Sequence, residues 1–101
     1  MGTRLRAVDI NVKHNEQDGT FETEVEGGLA FVEYVRDGKS IRFTHTEVPK
    51  AAEGKGVAAA IAKAGLEYAR ANHLRVVPLC AYVRGYIERH PEYQDLVDRE
   101  A

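Results

Sequence analysis

Val48-Pro49-Lys50-Ala51-Ala52-Glu53-Gly54-Lys55-Gly56-Val57-Ala58 decides how this chain is read. Upstream, Ser40 to Val48 alternates Ile41, Phe43 and His45 with Arg42, Thr44 and Thr46, the period of a strand. Downstream, Gly56 to Asn72 consists of helix formers, with Val57, Ile61, Leu66 and several alanines as an apolar stripe. The pattern therefore predicts a strand, a glycine turn and a helix that begins at once. The first amides of a helix have no internal partner, and the helix dipole is positive at that end. Glycine removes the β-carbon that would hold an anion away from the backbone, so the turn suits a pyrophosphate. Lys55 adds a positive charge there or is simply solvated. On spacing alone the same turn serves equally as a tight connection. Two other phosphate loops are excluded. The Gly-x-x-x-x-Gly-Lys-Ser/Thr pattern is absent, and the dinucleotide fingerprint needs a parallel first unit and a third glycine.

Working outward, the first half reads as four strands joined by short turns. Ala7 to Lys13 alternates Val8, Ile10 and Val12 with polar residues, and Glu16-Gln17-Asp18-Gly19 supplies turn chemistry. Thr20 to Glu26 alternates again before Gly27-Gly28, and Leu29 to Arg36 leads into the hairpin signal Asp37-Gly38. After the helix, Leu74 to Leu79 is a short β-branched run, expected to pair in parallel through a right-handed crossover. Ala81 to Arg89 reads as helix, and Pro91 opens a last short helix, Glu92 to Arg99. The expected fold is α+β: a four-stranded antiparallel sheet extended by a parallel fifth strand, with helices packed on it.

The 101 residues allow one core and are read as a single domain, residues 1–101. A net charge of −2 with interleaved signs gives no nucleic-acid footprint. Cys80 is the only cysteine, which fits a reducing compartment. No apolar run has the length of a signal peptide or membrane span, so a cytoplasmic protein without a membrane partner is expected. The histidines at 14, 45, 73 and 90 show no metal-ligand spacing, and no metal is expected.

The glycine turn resembles that of the GNAT acetyltransferase superfamily, where a fourth strand ends in Arg/Gln-x-x-Gly-x-Gly/Ala and runs into the cofactor-binding helix. Gly56 and Ala58 match; Glu53 stands where Arg or Gln is usual. A carboxylate there disfavours a pyrophosphate unless it points away, whereas the backbone amides are unaffected. The resemblance sharpens towards a subgroup of short GNAT-like proteins of about a hundred residues. Its stretches are similar to His45-Thr46-Glu47-Val48-Pro49, Val77-Pro78-Leu79-Cys80 and Arg89-His90-Pro91-Glu92-Tyr93, which occur here in that order. The resemblance implies acetyl-CoA bound where the strands ending near Val48 and Leu79 splay apart. Its contacts would be Val48, Gly54, Lys55, Gly56, Val57 and Ala58. Relative to a full GNAT domain, the resemblance implies a truncated form, in which the substrate-binding helices between the first strands and the terminal hairpin are expected to be largely absent.

Acetyl transfer to an amine needs a proton acceptor and an acid for the leaving thiolate. Tyr86 falls where many GNAT enzymes keep the acid; the other reading is a core aromatic with its hydroxyl near the surface. Cys80 opens a helix, an environment that makes a thiol more nucleophilic, and could carry the acetyl group covalently; free cysteine is also often inert core. Glu47 and His45, two apart on a strand, share a face and could relay a proton, or form an ordinary surface pair. His90 is read as a structural corner with Tyr93. The leading expectation is an acetyl-CoA-dependent acetyltransferase acting on an unidentified amine or protein acceptor. The alternative is a non-catalytic acyl-CoA-binding module; an RNA-associated role lacks clustered basic and aromatic residues.

Overall fold

The computed structural model describes residues 10–98. Its sheet runs in sequence order: β1 (Lys13–Asn15), β2 (Thr20–Val25), β3 (Gly28–Asp37), β4 (Ser40–Glu47) and β5 (Arg75–Pro78). The pairs from β1 to β4 are antiparallel, and β5 lies parallel to β4. Helix α1 (Val57–Ala71) makes the crossover, and α2 (Ala81–Arg89) follows β5. This is the α+β sheet expected from the alternating segments. Two 3₁₀ turns, Lys50–Ala52 and Pro91–Leu96, complete the described elements.

One face of the sheet carries Phe21, Ala30, Val32, Ile41 and Phe43, and these form a single core with residues of both helices. From α1 come Val57, Ile61 and Leu66; from α2 come Val83, Tyr86 and Ile87. Burying a side chain of this size stabilises the fold by about 1.5–3 kcal/mol. The opposite face holds Glu22, Leu29, Glu33, Val35 and Arg42, none of them buried. Gly65 lets α1 approach the sheet: a β-carbon there would lie 2.8 Å from Phe43 Cε1.

The structure departs from the expected pattern at three places. Pairing of β1 starts only at Lys13, opposite Glu22. The Asn11 carbonyl instead accepts from the Thr23 hydroxyl at 2.8 Å, a side-chain bond outside the ladder. Residues 7–9 of the expected strand lie outside the described residues. In β4 the register shifts: Tyr34 pairs with Phe43 but Glu33 with His45, so Thr44 is a bulge. The extra residue reverses side-chain parity beyond it. Thr46, opposite buried Val32, now faces the core side, and His45 and Glu47 face the open side. Finally, the expected last helix is a 3₁₀ segment ending at Leu96, because the chain returns to the sheet. Val97 bridges Val76 in parallel, and Asp98 N–H donates to Val76 O at 2.8 Å. Arg99 lies outside the described residues.

His14 closes one end of the core. Its ring stacks on Phe21, with centroids 4.2 Å apart, and meets the edge of Tyr68 at 4.5 Å. Its Nε2 lies 2.6 Å from the Tyr34 hydroxyl. Burial lowers its pKa below 6.5, Arg36 lowers it further, and Glu16 partly opposes them. The unfolded chain therefore binds more protons than the folded one around and below that value. Stability should be complete above the unfolded histidine pKa and fall as pH drops through it towards the lower folded value. In His14→Phe, which keeps the ring and removes the titration, this component of the slope should disappear from melting temperatures measured between pH 8 and 5.

Candidate active site

β5 pairs with β4 only as far as Pro78 opposite Phe43, and β4 continues four residues further to Glu47. The last backbone hydrogen bond across is Cys80 N–H donating to Phe43 O at 2.8 Å. Beyond it the ladder stops: β4 carries its bulge at Thr44, and the chain after Cys80 enters α2, which leaves an opening beside the end of β4. Within this opening Cys80 Sγ lies 3.1 Å from Thr46 Oγ1. Cys80 is buried and is the N-cap residue of α2, with no side-chain capping bond.

The glycine turn lies at the C-terminal end of β4. Gly54 and Gly56 both have φ +81°, the left-handed conformation glycine accepts freely. Gly56 is the N-cap of α1 and, having no side chain, cannot cap it. The first helical bond is Ala60 N–H to Gly56 O, at 3.1 Å. Among the described residues nothing accepts from the N–H groups of residues 54–59. A cavity of about 260 Å³ adjoins this turn, lined by Val48, Gly54, Gly56, Val57, Ala58 and Tyr82. Glu53 also lines it, exposed and without a salt-bridge partner among the described residues. Lys55 reaches Glu26 at 3.9 Å, an exposed pair worth little.

A second, larger groove of about 510 Å³ shares Gly56 and runs along α1 to Glu67. Tyr86 lines it from α2. The tyrosine is 4% exposed, yet its hydroxyl makes no hydrogen bond to another described residue and is not a buried unsatisfied atom. Burial raises its pKa, with Tyr82, Glu92 and Glu67 adding to the effect and Arg89 opposing it. A phenol held protonated can donate a proton. His90 stacks on this ring at 3.9 Å, and its Nδ1 lies 2.9 Å from Tyr86 O. The corner expected between His90 and Tyr93 is present, with Tyr93 N–H donating to His90 O at 3.0 Å, and Tyr86 is built into it as well.

The structure brings Val48, Gly54, Gly56, Val57 and Ala58 to one cavity, with Cys80 in the adjoining strand opening and Tyr86 on the neighbouring groove. Glu47 is separated from them. Its carboxylate pairs with His45 at 3.2 Å on the open face, because the bulge turned both away from the helices. Sequence reading missed Thr46 and Tyr82. Tyr82 lies four residues before Tyr86, so helical spacing alone places the two on one face. Among the described residues no three His, Cys, Asp or Glu are grouped to hold a metal, and no helix is long and apolar enough to cross a membrane.

Comparison with known proteins agrees with this geometry. Residues 20–96 match the family model described as GCN5-related N-acetyl-transferase. Protein NATD1 of Mus musculus is 34% identical over 87 residues, covering 81% of this chain and 77% of the mouse protein. Protein NATD1 of Homo sapiens is 31% identical over 96 residues, covering 90% and 83% respectively. The solution structure of a GCN5-like protein from Staphylococcus aureus superposes with a TM-score of 0.69 at 27% identity, over 88% of each chain. With its family match spanning most of the sequence and its parallel β4–β5 pair in place, the chain belongs to the GCN5-related N-acetyltransferase family.

Proposed function

We propose that this chain binds acetyl-CoA at the start of α1 and transfers the acetyl group to an amine. The observation carrying the reading is the uncapped helix start, with unpartnered amides over residues 54–59, of which Gly54 and residues 56–59 line a cavity. These amides and the helix dipole would hold the pyrophosphate. Val48 and Tyr82 would flank the arm that leads to the opening between β4 and β5, and exposed Glu53 has solvent into which to turn. In the transfer, the amine nitrogen bonds the acetyl carbon as the C–S bond breaks. The amine proton passes to solvent, and Tyr86 protonates the departing thiolate before recovering a proton from water. Cys80 stands beside this path as a nucleophile for a two-step route, with Thr46 orienting its sulfur. No role falls to Glu47.

Titration with acetyl-CoA, followed by calorimetry and by amide chemical shifts, tests the binding. Shifts should concentrate at residues 54–59; absence of binding, or shifts confined elsewhere, would sink the reading. Tyr86→Phe should then leave affinity unchanged and slow turnover by about 10²-fold, the usual worth of a general acid. A mass gain of one acetyl group, lost in Cys80→Ser, would establish the two-step route.

One observation favours a non-catalytic acyl-CoA-binding module: β1 and β2 are joined by a turn of only residues 16–19, leaving no acceptor-binding helices between them. Tight CoA binding with no acetyl transfer across a broad panel of amines would decide for that module.

A further inference from the structure

Among the described residues nothing holds Tyr86 by its polar end. The hydroxyl is without a partner there, while the ring is 4% exposed and lines the larger groove. The aim of the phenol therefore depends on what packs against its faces. The His90 imidazole lies nearest, stacked at 3.9 Å with the planes 18° apart. Tyr93 and Tyr82 stand further off, at 6.1 and 6.4 Å, and are tilted. A flat ring laid parallel on a buried phenol blocks its swing in that direction. His90 is itself fixed. Its Nδ1 lies 2.9 Å from Tyr86 O, and since a carbonyl only accepts, Nδ1 carries the proton. Its backbone N–H donates to Ile87 O at 3.1 Å, and its carbonyl accepts from Tyr93 N–H at 3.0 Å. Pro91 disfavours helical backbone in the residue before it, and His90 accordingly has φ −130° and ψ 79°. The Pro91–Leu96 turn that follows is tied to α1. Arg70 donates to Glu92 O at 2.6 Å and pairs with Asp95 at 3.1 Å, and the Tyr93 hydroxyl donates to Glu67 at 2.6 Å. The same helix supplies Ala59, Ala60, Ala64 and Glu67 to the groove, so the groove wall and the ring stacked on Tyr86 share one support.

We propose that His90 is a positioning residue: its imidazole, braced from α1 through the Pro91–Leu96 turn, holds the Tyr86 ring so that the phenol stays set on the groove. The proposal rests on the acetyltransferase reading and adds to it the residue that aims the acid. His90 does not line the groove and gives no atom to the transfer. The proton that reaches the thiolate is the phenol's, and water restores it. Two contacts of His90 have separate duties. The Nδ1–H bond to Tyr86 O closes the end of α2, and the stacked ring restrains the phenol.

Two substitutions separate these duties. His90→Asn places an amide N–H where Nδ1 stands, which keeps the bond to Tyr86 O and removes the stacked ring. His90→Phe does the reverse. Turnover of acetyl-CoA is measured with n-butylamine, 1,4-diaminobutane and a lysine peptide, and the fastest of them is carried through the variants. His90→Asn should lower kcat about tenfold, within what a misplaced group costs, and leave KM for acetyl-CoA unchanged. His90→Phe should recover most of that loss. In the Tyr86→Phe background His90→Asn should cost nothing further, because the ring it restrains no longer carries the acid. NMR of labelled tyrosine, with Tyr86 assigned by its loss in Tyr86→Phe, reads the restraint without turnover. The Tyr86 ring should flip faster in His90→Asn and slow again in His90→Phe. Native kcat or native flipping in His90→Asn would overturn the proposal. So would His90→Phe as slow in turnover as His90→Asn, or an equal loss from His90→Asn with and without the Tyr86 hydroxyl. Acetyl-CoA left intact by the native chain with every amine, while the flipping responses appear, would instead sink the transfer reading and leave the hold of His90 on Tyr86 standing.

Discussion

Gly56→Val should abolish most affinity for CoA, raising Kd by about 100-fold or more, near 2.7 kcal/mol. Two effects act together. Gly56 has φ +81°, which a β-branched residue adopts only at a cost of about 1–3 kcal/mol. The turn must then bear that strain or rebuild, and rebuilding moves the amides that an anion would use. The added methyl groups would also be introduced at a residue that lines the cavity. Calorimetry with CoA reads the first consequence. A urea melt reads the second, a stability loss of about 1–2 kcal/mol, and shows whether the variant is folded when binding is measured. Native affinity in a folded Gly56→Val protein would remove the glycine turn from the binding site.

Gly65→Ala should lower stability, against the usual trend for helices. Alanine in a helix interior gains about 1 kcal/mol over glycine. Here, however, the new β-carbon would meet Phe43 Cε1 at 2.8 Å and Cζ at 3.0 Å. That ring is 1% exposed and surrounded by core, so it has nowhere to turn. Overpacking of this kind costs about 1–3 kcal/mol and is expected to prevail over the propensity gain. Each net kcal/mol corresponds to about 4–8 °C in Tm for a domain of this size. Phe43→Leu in the Gly65→Ala background should recover part of the loss, a coupling that a double-mutant cycle measures. A higher Tm for Gly65→Ala alone would mean that α1 does not sit this close to the sheet.

The expected helices were the most legible elements, because each carries its own periodicity. Ala81 to Arg89 is helical over the range expected, and α1 differs from its expected limits by a single residue at each end. The glycine turn was legible because it depends on backbone: glycines, a strand before them and a helix after. What sequence could not yield was parity along β4. Ile41, Phe43 and His45 alternate on paper, but the bulge at Thr44 moves His45 to the other face and brings Thr46 to Cys80. A bulge is settled by the partner strand, and no local composition at residues 43–46 specifies it. The same holds at Val97, which pairs with Val76 only because the intervening 3₁₀ segment turns the chain back. Glu47 was misplaced relative to the cleft for the first reason, and the terminal helix for the second.

The lengths of the outer strands bear on how this sheet behaves among many copies of itself. β3, with 10 residues, is flanked on both sides, and β4, with 8 residues, is flanked on both sides as far as Phe43. The margins are β1, of 3 residues, and β5, of 4 residues, where Val97 also occupies part of the rim. Among the described residues, border strands this short give a neighbouring molecule a poor template for strand-by-strand growth. Unfolding that releases β1 would turn β2, of 6 residues, into the border, so resistance to fibril formation in this chain should depend on keeping a three-residue strand in place.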